Sequence, residues 1–116
     1  MNTKIYKAIK GILKRNRDYK TNEIDYENAK VILKNDKEAI LLDVRSPQEY
    51  KEGHLEGSIN IPLYDLSKKS ENTIKNKECT IIVYCQSGNR SKKAIDILSN
   101  KGYENLYNIK GGLDNI

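Results

Sequence analysis

The chain alternates short apolar runs with amphipathic stretches along nearly its whole length. Residues 4–17 place Ile5, Tyr6, Ile9, Ile12 and Leu13 at helical spacing, with Lys4, Lys7, Lys10 and Lys14 filling much of the remaining surface. This stripe predicts an amphipathic helix that frays through Arg15-Asn16-Arg17-Asp18. Residues 19–24 read as a short first strand. Asp25 is placed to cap a helix over residues 26–34, whose Ala29, Ile32 and Leu33 share one face. Residues 39–44 are apolar without alternation, which predicts a strand buried on both faces. Ser46-Pro47-Gln48-Glu49 then spells a helix start, with Ser46 as N-cap, proline at the first helical position and Glu49 closing a capping box.

Gly53 and Gly57 punctuate the following turn, and Ile59-Asn60-Ile61 reads as a brief strand before Pro62. Residues 63–76 are polar around Leu63, Leu66 and Ile74 and predict short helical turns. Residues 80–84 are β-branched or aromatic throughout, the composition of a strand. A helix is expected from Ser91, as its N-cap, to Asn100, with Ala94, Ile95, Ile97 and Leu98 facing inward. Gly102 sits where a C′ glycine belongs, with Tyr103 as the apolar contact beyond it. Residues 106–109 form the last strand, and Gly111-Gly112 turn the chain. Helices alternating with strands that read as fully buried define an α/β chain on a parallel sheet. Without repeats or a low-complexity linker, it divides into residues 1–18, a basic amphipathic extension, and residues 19–116, one α/β domain.

Composition narrows the function classes. A chain of 116 residues with 37% hydrophobic and 32% charged side chains is a globular, soluble type. Its longest apolar run, residues 81–85, falls short of the ~20 residues of a membrane span or the ~7–15 of a secretory core. Residues 1–20 hold seven Lys or Arg and one Asp, whereas the remainder holds fourteen basic and fifteen acidic residues. The basic balance therefore belongs to the N-terminal segment, and no basic stripe marks the domain as a nucleic-acid binder. Two cysteines make no disulfide framework. Cys79 and Cys85 flank a strand that separates them by roughly 20 Å, far beyond the ~7 Å reach of a bridge. Two thiols point to a reducing, cytoplasmic setting. One histidine and two distant cysteines build no metal site, and no organic cofactor is implied.

Reactive groups in open α/β sheets lie at the carboxyl ends of strands, and two such ends stand out. One is Asp43-Val44-Arg45; the other is Cys85-Gln86-Ser87-Gly88-Asn89-Arg90-Ser91. In the second, a cysteine leaves a buried strand, enters a short polar loop and is followed by a helix. Convergent N–H groups and a helix N-terminus stabilise a thiolate and hold an anion against it. Gly88 permits a positive φ or a close backbone approach, and Arg90 adds a planar cationic fork. The residues thus describe a cysteine nucleophile in an anion cradle. The plain alternative is a small buried cysteine ending a strand.

Taken together, Leu42-Asp43-Val44-Arg45, Glu49-Tyr50, Gly53-His54-Leu55-Glu56-Gly57-Ser58-Ile59-Asn60-Ile61-Pro62, residues 85–91 and Gly111-Gly112 resemble the single-domain rhodanese-like sulfurtransferases in order and spacing. The resemblance runs from about residue 19 to residue 113. It implies a doubly wound, mostly parallel five-stranded sheet with helices on both faces. It also implies that Cys85 accepts a sulfane sulfur as a persulfide, surrounded by the N–H groups of Gln86, Ser87, Gly88, Asn89 and Arg90. The donor would be thiosulfate or a persulfide, and the acceptor cyanide, a small thiol or a protein thiol. The related phosphatases and arsenate reductases use a Cys-x5-Arg loop, whereas residues 85–90 form Cys-x4-Arg, a tighter ring that suits sulfur better than a phosphoryl group.

Supporting roles are expected of Asp43, Arg45, Glu49 and Ser91. The two carboxylates can pair with Arg45 or Arg90 and orient the loop. Arg90 has two readings, donor oxyanion binding and loop bracing. His54, the sole histidine, sits in a Gly-His-x-x-Gly segment expected to be structural. Cys79 matches no motif and reads as inert, and Lys68-Lys69 and Lys92-Lys93 read as solvated surface, the latter pair raising the potential near the loop. Relatives continue past the Gly-Gly pair into a further helix, where this chain has only four residues. The stripe of residues 4–14 is expected to pack where that helix normally would. An anionic membrane surface is the competing partner. A monomer is expected. The second function class is a regulatory or non-catalytic interaction module of the same fold, or a dedicated persulfide carrier.

Overall fold

The computed structural model describes residues 22–116. The amphipathic stripe of residues 4–14 and the expected strand start at residues 19–21 lie outside the described residues. Within them the order is β1 (Glu23–Ile24), α1 (Tyr26–Asn35), β2 (Ile40–Asp43), α2 (Pro47–Glu52), β3 (Ile59–Asn60), α3 (Leu63–Thr73), β4 (Thr80–Tyr84), α4 (Asn89–Asn100), β5 (Asn105–Ile109) and a terminal 3₁₀ turn, Gly112–Asn115. The five strands form one sheet in the order β1-β5-β4-β2-β3, and every pairing is parallel.

Local signals account for most of these boundaries. The Asp25 carboxylate accepts the Asn28 N–H at 2.7 Å and caps α1. In α2 the capping box is complete: Ser46 Oγ accepts the Glu49 N–H while Glu49 Oε1 accepts the Ser46 N–H. Helix α4 ends in a Schellman motif, with Gly102 N–H donating to Ser99 O and Tyr103 N–H to Leu98 O. The expected short turns of residues 63–76 are instead one continuous helix, α3, which buries Leu66 and Ser70.

Central strand β4 is buried throughout, as is β5. On one face of the sheet, α3 and α4 pack Leu66, Ala94, Ile95 and Leu98 over Leu42, Ile81, Val83 and Leu106. On the other, α1 lays Ala29 and Ile32 over Leu41, Ile82, Tyr84 and Tyr107. Burying both faces is what permits strands without polar alternation. It also leaves the carboxyl end of β4, where Cys85 emerges, between the ends of β2 and β5.

Candidate active site

Cys85 is fully buried directly after β4. Its Sγ accepts the N–H of Gly88 at 3.0 Å and that of Ser91 at 3.4 Å. The Ser91 hydroxyl donates to Gly88 O at 3.0 Å, so at 3.5 Å from Sγ its oxygen is placed to accept the thiol proton. The same hydroxyl can rotate to donate to a thiolate. Asn89 and Arg90 open α4, and first-turn N–H groups have no intrahelical acceptor. Donors from the loop and the helix end therefore surround one sulfur.

Ser91 is not the N-cap of α4, as its type and position suggested. The helix starts two residues earlier at Asn89, and the N-cap is Gly88 at φ 100°, ψ −9°. The left-handed glycine bends the loop tightly enough to begin the helix against the sulfur, and Ser91 is thereby moved into the first turn, facing Cys85. Gln86 and Arg90 are half-buried, while Ser87 and Asn89 are exposed at the rim.

Two ion pairs hold the surroundings. Asp43 is fully buried, and its carboxylate takes Arg45 Nη2 at 2.8 Å and Nε at 3.1 and 3.2 Å, together with the Arg45 N–H. Arg45 also donates to Gly53 O at 2.7 Å and to Gln86 Oε1 at 3.4 Å. Glu49 receives Arg90 in a fork, Nη1 to Oε1 at 2.6 Å and Nη2 to Oε2 at 2.9 Å. Hydrogen bonding to Arg90 holds the Glu49 carboxyl down at about 2, and the same contact raises Arg90. His54 stacks on Tyr50 with ring centroids 3.7 Å apart, and its Nδ1 donates to Tyr50 O. That arrangement engages the imidazole in the turn.

The terminal 3₁₀ turn grips the loop from behind. Leu113 N–H donates to Cys85 O at 3.0 Å and Asp114 N–H to Gln86 O at 2.9 Å. The Asp114 carboxylate accepts Gln86 Nε2 at 2.7 Å. A Cβ on Gly112 would lie 2.4 Å from Cys85 O, and one on Gly88 would lie 3.4 Å from Gly111 N. Sequence reasoning saw a turn in Gly111-Gly112 and missed that the glycines let it touch the loop backbone. It also missed Asn60, whose side-chain amide donates to Asp43 O and Arg45 O. Tyr84 was likewise read only as core. Its buried hydroxyl bridges Leu55 N–H and Ser58 Oγ, and burial pushes the phenol up to about 12.

A thiol at a central strand end, ringed by N–H donors and braced by arginine–carboxylate pairs, is built for sulfur or oxyanion chemistry. A family model described as the Rhodanese-like domain matches residues 26–116. The chain belongs to the rhodanese-like family and is similar to its single-domain sulfurtransferases. It is 40% identical over 75 residues to thiosulfate sulfurtransferase PspE of Escherichia coli, covering 65% of this chain and 71% of that protein. A solved rhodanese with anions from E. coli superposes with a TM-score of 0.61 at 37% identity, covering 67% of this chain and 91% of that one. A rhodanese-related protein from Thermoplasma volcanium gives 0.66 at 33% identity, over 78% and 85% of the two chains.

Proposed function

We propose that this chain moves sulfane sulfur through a persulfide on Cys85. The reading rests on one observation: a buried Sγ that already accepts the Gly88 and Ser91 N–H groups beside the unpaired first-turn N–H groups of a helix. The Cys85 thiolate attacks the outer sulfur of thiosulfate or a hydropersulfide. A new S–S bond forms, the donor's S–S bond breaks, and sulfite or a thiolate leaves with the electron pair. The N–H groups then stabilise the anionic persulfide with dipoles fixed by folding. A thiol or cyanide attacks the outer sulfur in turn and returns Cys85 as thiolate. A similar protein, the solved rhodanese with anions from E. coli, agrees with a site of this kind meeting anionic donors.

Arg90 is assigned the bracing role, because Glu49 occupies both of its terminal nitrogens. Asp43 and Arg45 act on the loop through Gln86 and the Gly53 carbonyl, not on the sulfur. Intact-protein mass after incubation with donor tests the proposal. A gain of about 32 Da that is lost on reduction and absent from Cys85→Ser is the expected outcome. No gain with either thiosulfate or a small-molecule persulfide would sink it in favour of a non-catalytic interaction module.

A further inference from the structure

The two arginines that contact the Cys85 loop are both matched by carboxylates. Arg45 is enclosed with Asp43, their side chains 5% and 0% exposed, and has no freedom to meet a ligand. Arg90 sits at the rim, its side chain 38% exposed against 32% for Glu49, and within electrostatic reach of Cys85. It is the side-chain cation placed to meet a donor, yet its fork is filled by Glu49. Glu49 in turn cannot swing aside, because Oε1 also closes the capping box on Ser46 N–H. The cradle therefore offers backbone N–H groups, while the charge that would favour a dianion is cancelled in place.

Resting on the sulfur-transfer reading above, we propose that Glu49 sets the donor class: by neutralising Arg90 it favours hydropersulfide donors over dianionic thiosulfate. The two donors load the same product with different charge. A hydropersulfide RSSH gives Cys85–SSH and leaves RS⁻, so one negative charge is present before and after. Thiosulfate brings two further charges to the rim, and sulfite leaves carrying both. A fixed carboxylate beside the entrance opposes the second reaction far more than the first. Glu49 acts through Arg90 and is a positioning residue for specificity.

The test compares Glu49→Gln with wild type, using sulfite release for thiosulfate and intact mass for cysteine hydropersulfide. Glutamine keeps an oxygen for the capping box and removes the charge. The ratio of thiosulfate to hydropersulfide kcat/KM is expected to rise about tenfold, the effect of removing one unit charge ~6 Å from a dianion at an effective dielectric of ~80. Loss of the Arg90 brace acts on both donors alike and cancels in that ratio, and added salt is expected to shrink the gain in it. An unchanged or lower ratio overturns the proposal and leaves Glu49 as a brace alone. If Glu49→Gln does not fold, Arg90→Gln carries the test by leaving the carboxylate unopposed. Thiosulfate loading must then fall more than hydropersulfide loading, and equal falls overturn the proposal. Failure of wild-type Cys85 to load from either donor is a separate result, and removes the sulfur-transfer reading itself.

Discussion

Gly112→Ala should damage the fold through the Cys85 loop, and the size of the effect follows from two contacts. The new Cβ would stand 2.4 Å from Cys85 O and 2.7 Å from Gln86 O, both backbone atoms. Ordinary C···O contact begins near ~3.3 Å, so the carbonyls must retreat by roughly 0.9 Å. Those same carbonyls accept the Leu113 and Asp114 N–H groups, so retreat also weakens the clamp that holds the loop. Gly57→Ala is the control, because its φ of +83° resembles the +61° of Gly112 but nothing lies within 4 Å of its Cβ. An alanine in the left-handed region costs about 1–2 kcal/mol, offset in part by ~0.4–1 kcal/mol from the stiffer unfolded chain. Overpacking adds about 1–3 kcal/mol and each lost hydrogen bond about 1 kcal/mol. Gly57→Ala should therefore lose roughly 1 kcal/mol and Gly112→Ala roughly 4–6 kcal/mol, with ~4–8 °C of Tm per kcal/mol in a domain of this size. Thermal melts of both variants, with sulfur loading measured below the lower Tm, check the ranking. If Gly112→Ala melts within about 5 °C of Gly57→Ala and loads sulfur at the wild-type rate, the clamp argument is wrong.

Asp43→Asn leaves the Arg45 guanidinium buried without its countercharge and should cost about 3 kcal/mol in urea unfolding; a loss below ~1 kcal/mol would contradict the buried pair. Tyr84→Phe strips the Leu55 N–H and Ser58 Oγ of their shared partner. It should cost ~1–2 kcal/mol and speed amide exchange at Leu55, and unchanged exchange would refute the bridge. Glu49 gives a pH signature, since its folded value of about 2 lies below the ordinary 4.5. Its stabilisation is complete above the unfolded value and is lost as pH falls from ~4.5 towards ~2; a third of each side chain is exposed, so screening limits it to about 1 kcal/mol. Unfolding titrations should show wild type losing this advantage over Glu49→Gln between about pH 5 and pH 2, and a pH-independent gap would refute the pairing.

Legibility in the sequence followed the range of the interaction. Caps and terminators are written in side chains a few residues apart, so Asp25, the Ser46–Glu49 box and Gly102-Tyr103 could be read directly. The β-branched and aromatic composition of Thr80–Tyr84 announced a strand, and hence the position of Cys85 at its end. The start of α4 was misread because a serine advertises an N-cap by its hydroxyl, whereas a left-handed glycine does the same work with backbone alone. Long-range contacts left even less trace. The grip of Leu113 and Asp114 on the loop uses main-chain carbonyls, and the Gly111-Gly112 pair hints at closeness without saying to what. Glu49 and Arg90 lie forty-one residues apart, so spacing named them as candidates for pairing but only the fold joined them.

The placement of the sulfur constrains the chemistry as much as the donors around it do. Cys85 shows no accessible surface, and Gly88, Ser91 and the terminal turn hold its loop from three sides. In the proposed persulfide the reactive atom would stand one S–S bond, about 2 Å, beyond Sγ, in a loop whose Ser87 and Asn89 are exposed. A donor must bring a sulfur on a narrow terminus to reach Sγ, whereas an acceptor need only meet the outer sulfur near the surface. On the proposed sulfur-transfer reading, selection on the donor side would then fall to the charges at the rim, where Glu49 holds Arg90.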